Sequence, residues 1–114
     1  MAERDPKIRF LHMHDYTLKA LKMIEGQSRA EFDNDEKLQL ALSRLVELIG
    51  ESANTISPEI QSQYPEIPWP KIIGMRHRLI HGYDFVDYDI LWNTVNMSLP
   101  QLLTDLSRII DENF

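Results

Sequence analysis

The chain has 114 residues, a formal net charge of −6, 43% hydrophobic and 26% charged residues, and no cysteine. That is the size of one domain with one core, here expected to span residues 1–114. Disulfides and thiolate metal sites are excluded, and the acidic balance argues against a protein that coats nucleic acid by bulk charge. No apolar run approaches the roughly 20 residues that span a bilayer. The first residues, Met1 to Pro6, lack the apolar core of a signal peptide, so the expected setting is the cytoplasm.

Asp5-Pro6 predicts a helix start, with an Asp cap and proline at the first helical position. Ile8, Leu11, Tyr16, Leu18, Leu21 and Ile24 give that helix its expected apolar face, and Gly26 ends it. His12 and His14 project to different sides of a helix, which suits surface or core-edge histidines better than a shared metal. Ser28 caps a short turn to Phe32, and Asp33-Asn34-Asp35 restarts a helix. In that helix Leu38, Leu42, Leu45, Ile49, Ala53 and Ile56 recur at intervals of three and four. Ala41, Val46 and Leu48 widen the stripe, enough to bury part of it against a second chain.

Ser57-Pro58 predicts another capped start, for a short helix to about Tyr64. Pro68-Trp69-Pro70 begins a fourth helix, expected to run through Ile72, Ile73 and Ile80 and to fail at Gly82. Asp87 caps the last helix, with Ile90, Leu91, Val95, Leu99, Leu102, Leu106, Ile109 and Ile110 inward and a kink at Pro100. No stretch alternates as a half-buried strand does, so the expected fold is an all-α antiparallel helical bundle with a kinked C-terminal helix.

One segment concentrates the usable chemistry: Met75-Arg76-His77-Arg78-Leu79-Ile80-His81-Gly82-Tyr83-Asp84. With Lys71 it is locally basic up to Asp84. On a straight helix His77 and His81 share a face, with Arg78 near them, whereas Arg76 lies about 140° from His81. Convergence of Arg76 and His81 therefore needs a bend at Gly82, the reach of Arg76, or a second copy of the segment. Three readings stay open on residue types alone. The segment is ordinary structure, with His81 favoured by the helix dipole and Gly82 as a C-cap. Or His77 and His81 bind a metal, against which stand the flanking arginines and the absence of a Glu at position 78. Or the segment handles phosphodiesters, His moving a proton and Arg gripping the phosphate.

The spacing Arg76, four residues, His81, one residue, Tyr83 resembles the signature of the HepT-like ribonuclease toxins of the all-helical HEPN superfamily. The Leu-Ile-His-Gly-Tyr core, the Trp-Pro entry into the helix, Ile49 to Ala53 and the proline-kinked last helix are similar to that family as well. His77 stands where the family often has Asn. The resemblance implies a metal-independent, cofactor-free endoribonuclease working as a homodimer, with two copies of the motif facing each other across a cleft. Arg76 and His81 would be catalytic, His77 and Arg78 supporting, and Lys71 a contact to RNA. It also implies an MntA-type nucleotidyltransferase antitoxin that adds AMP to Tyr83. The alternative is a non-catalytic HEPN-type module that only binds a nucleotidyltransferase; the acidic balance suits it, whereas Arg76 and His81 have no reason to be kept together there.

Overall fold

A computed structural model describes residues 5–81 and 85–114. Helix α1 (Pro6–Ile24) begins where the Asp5 side chain accepts the Lys7 N–H at 3.0 Å, and the chain leaves it through Gly26 at φ +75°, a conformation that costs glycine nothing. Helix α2 (Arg29–Asp33) is set by a reciprocal capping box between Ser28 and Glu31. Helix α3 (Glu36–Asn54) is capped by Asp35, and α4 (Pro58–Ser62) by Ser57 with proline at its start. These starts all fall where the sequence places them, because each cap is a local bond that needs no tertiary partner.

Helix α3 is the hub. It packs against α1, α2, and three later elements: α5 (Trp69–Ile73), α6 (Met75–Leu79) and α7 (Tyr88–Asn93). Leu42, Val46, Ile49 and Ala53 are fully buried along it. At about 1.5–3 kcal/mol for each large aliphatic side chain withdrawn from water, such a stripe outweighs any helix-propensity term. The buried Gln39 amide donates to the carbonyls of Phe32 and Asp33 at 3.0 and 3.1 Å, tying the end of α2 to α3. Helix α1 lies against α3 and against α8 (Leu99–Asn113).

The face of α1 differs from the expected one. Phe10, Met13, Thr17, Ala20 and Ile24 are buried, whereas Ile8 is 48% exposed and Leu11, Leu18 and Leu21 are half-buried. Apolar residues lie on most sides of this helix, so their period does not select a face. The aromatic cluster around Phe10 does: its ring meets Tyr64, Trp69 and Phe114 at centroid distances of 5.3, 6.0 and 5.7 Å.

Two features of the C-terminal half also differ. The fourth helix is two short ones, α5 and α6, separated at Gly74, and α6 ends at Leu79 instead of continuing to Gly82. Ile80–His81 (β1) turns extended and pairs antiparallel with Phe85–Val86 (β2), Ile80 opposite Val86 and His81 opposite Phe85. The Asp87 N–H, which donates to the Leu79 carbonyl at 2.7 Å, closes this ladder where helical bonding stops. The ladder is two residues long on each side, and the fold is all-α. In the last helical stretch, α7 passes into a π-helical turn, Thr94–Ser98, before α8. There the Leu99 N–H reaches the Thr94 carbonyl, just ahead of Pro100, which has no N–H to give. The expected irregularity near Pro100 thus takes the form of a widened turn. Among the described residues no helix is long and apolar enough to cross a membrane.

Candidate active site

Helix α6 turns its polar side chains outward by burying its ends. Met75 and Leu79, four residues apart and on one face, are 2% exposed. Arg76, His77 and Arg78 between them are all exposed. Lys71, on α5, is exposed too. The sequence-predicted basic group is therefore on the surface, on a short helix pinned to the core at both ends.

The close approach of α3 sets the height of α6. Gly50 of α3 sits beneath the junction of α5 and α6: a Cβ there would lie 3.1 Å from the Ile72 carbonyl oxygen and 3.2 Å from that of Ile73. One turn earlier on α3, Glu47 reaches Arg76, its Oε1 lying 3.6 Å from Arg76 Nε. The same carboxylate oxygen lies 3.2 Å from Arg44 Nη1, and Arg44 in turn is 3.9 Å from Glu51. Arg76 thus has a defined partner in Glu47. Glu47 carries no motif that would mark it. Its only signal is that residues 44, 47 and 51 follow each other at helical spacing along the edge of the buried stripe.

His81 is off the helix that carries Arg76, at the end of β1. The helical reckoning that aligned His77 with His81 and set Arg76 about 140° away does not apply, because the path changes between Leu79 and Ile80, ahead of Gly82. With it goes the geometric basis for a helical pair of metal-binding imidazoles. Of His81 the backbone alone is described, and Tyr83 lies outside the described residues. The other two histidines are elsewhere. His12 has its ring 6.1 Å from that of Tyr16, and His14 Nε2 is 3.2 Å from Ser107 Oγ, linking α1 to α8.

Arginine and histidine are residue types able to bind a phosphate and to move a proton, and here they stand on α6 and just past its end. Residues 13–109 match the family described as "Ribonuclease HepT-like". The chain belongs to the HepT-like ribonuclease family. It is 31% identical to "Putative RNase MJ1216" of Methanocaldococcus jannaschii, over 98% of this chain and 93% of that protein. It is 33% identical to "Putative RNase TTE0752" of Caldanaerobacter subterraneus subsp. tengcongensis, over 81% and 82%. It is 39% identical to "Probable ribonuclease HepT" of Thermococcus cleftensis, over 73% and 79%. No solved structure matches the chain significantly.

Proposed function

We propose that the protein is a metal-independent endoribonuclease toxin that cleaves RNA by attack of a ribose 2′-hydroxyl on the adjacent phosphate. The observation that carries this reading is the exposed Arg76 on α6, held beside Glu47, in a chain of the HepT-like ribonuclease family. His81 takes the 2′-hydroxyl proton or delivers one to the leaving group. The 2′-oxygen bonds to phosphorus, the bond from phosphorus to the 5′-oxygen breaks, and the 5′-oxygen leaves as a hydroxyl. The products are a 2′,3′-cyclic phosphate and a 5′-hydroxyl end. Arg76 grips the phosphate and stabilises the charge that builds on it in the transition state. RNA supplies the nucleophile and arginine the positive charge, so the step calls for no metal. His77 orients His81 or shares proton transfer, and Arg78 and Lys71 contact flanking phosphates.

The active form in this reading is a homodimer in which two copies of the motif face one cleft. Its antitoxin is an MntA-type nucleotidyltransferase that transfers AMP from ATP to the Tyr83 hydroxyl, releasing pyrophosphate. The added negative charge and bulk oppose RNA at the cleft. The deciding experiment is cleavage of single-stranded RNA by the purified protein in chelator. Wild type is expected to yield cyclic phosphate ends and His81→Ala to be inactive; equal cleavage by both would overturn the mechanism. Mass spectrometry of protein co-expressed with its neighbouring nucleotidyltransferase tests the second part, and an unmodified Tyr83 in the inhibited protein would sink it. The net charge of −6 favours one other reading, a module that binds a nucleotidyltransferase without cutting RNA. Absence of cleavage by wild type, with the complex formed, is its expected result.

A further inference from the structure

We infer that Glu47 is a positioning residue for the ribonuclease reaction, aligning the Arg76 guanidinium through its Nε. This rests on the ribonuclease reading above and adds to it a residue on a different helix. Three observations point to it. Glu47 is 27% exposed on α3, whereas Arg76 is 53% exposed on α6, so the more buried carboxylate anchors the more exposed cation. The contact runs through Nε at 3.6 Å, which leaves the Nη edge of the guanidinium to a phosphate as far as this pair is concerned. And Gly50, one turn further along α3, has no side chain where a Cβ would lie 3.1–3.2 Å from the Ile72 and Ile73 carbonyl oxygens, which lets the α5–α6 junction approach the helix that carries Glu47.

Glu47 is also the shared partner of two guanidinium groups. Arg44 approaches the same oxygen from within α3, at 3.2 Å. Arg44 also lies 3.9 Å from Glu51, so two arginines and two glutamates balance here and Glu47 does not by itself turn the patch acidic against RNA. A half-exposed ion pair at this distance is weak beside a bidentate, charge-assisted grip on phosphate, so bound RNA is not displaced by it. What Glu47 supplies is orientation: a long arginine side chain on a five-residue helix is restrained before substrate arrives.

The test uses the full chain with a mixed-sequence, fluorescently quenched single-stranded oligoribonucleotide, and its fully 2′-O-methylated counterpart as a probe that binds without being cut. Glu47→Gln is expected to lower kcat about tenfold with KM no higher, because an aligning contact is lost and a negative charge removed. Affinity for the methylated probe should hold or rise. Glu47→Asp should recover part of the loss, and Arg108→Gln, which breaks an ion pair of α8 with Glu66, should keep the wild-type kcat. In an Arg76→Lys background, Glu47→Gln should cost less than about twofold, because the two residues act as one unit. A wild-type kcat in Glu47→Gln, or the same fold-loss in both backgrounds, overturns the assignment while leaving the ribonuclease reading standing. Failure of wild type to cut the probe overturns that reading itself.

Discussion

At the scale of the residue, Arg76 is where surface position and proposed chemistry can be separated. Its side chain is about half exposed and its pair with Glu47 is open to solvent, so the pair contributes at most about 1 kcal/mol to stability. Arg76→Ala should therefore change folding stability by no more than about 0.5–1 kcal/mol in urea denaturation. RNA cleavage should fall by about 10²–10³, the usual loss when a group that stabilises transition-state charge is removed. Arg76→Lys should fall in between, because an ammonium keeps the charge without the planar fork. A second residue gives a pH signature away from the site. The carboxyl of Glu66 is held below the usual carboxylate range, first by its own backbone N–H and then by Arg108, whose Nη2 donates to it at 2.9 Å. A depressed folded-state pKa adds stability that is complete above the unfolded value and is lost as pH falls through the folded one. Thermal melts of wild type and Glu66→Gln should differ most at neutral pH and converge in acid. The gap should be small, because both side chains are partly exposed. Arg76 as an exposed cation was legible in the sequence, since it lies between the apolar Met75 and Leu79. Glu47 was not, because an ion pair between distant helices depends on how those helices are laid together.

At the scale of the element, the capped starts at Asp5, Ser28, Asp35, Ser57 and Asp87 were readable because each is a side chain bonding a backbone N–H two or three residues on. The stripe of α3 was readable for a related reason: its apolar positions leave a polar flank, so one face is marked. Helix α1 has no such contrast, and its inward face is chosen by partners such as Tyr64 and Trp69. The break of the fourth helix depends on tertiary contacts as well. Where α6 ends at Leu79, the Leu79 carbonyl takes the N–H of Asp87, from the far side of the short ladder. The junction between α5 and α6 can be tested through Gly50. Alanine there would gain roughly 1 kcal/mol of helix propensity. Against that, its methyl would press on two backbone carbonyls, which cannot rotate away as a flexible side chain can, and overpacking of this kind costs about 1–3 kcal/mol. Gly50→Ala is expected to be net destabilising by about 1 kcal/mol in denaturant titration. Cleavage should fall by more than that stability loss explains, because the same shift lifts Arg76 away from Glu47.

At the scale of the whole molecule, the question is which copy of the chain completes each site. Within one chain Arg76 sits on α6 and His81 on the strand that follows, on separate elements. A composite cleft in the proposed homodimer would join Arg76 of one copy to His81 of the other, and this has a consequence that no single-chain site shares. Arg76→Ala and His81→Ala proteins, each inactive alone, should regain activity when mixed and allowed to exchange subunits. Random exchange at equal amounts makes about half the dimers mixed, each with one intact composite site and one doubly altered, so about a quarter of wild-type activity should return. The measurement is RNA cleavage after unfolding and refolding the two variants together, beside each refolded alone. If Arg76 and His81 instead act within one chain, every site in the mixture carries one substitution and no activity returns. The amount recovered therefore reports whether the short span from α6 to β1 spaces two halves of one site or distributes them between partners.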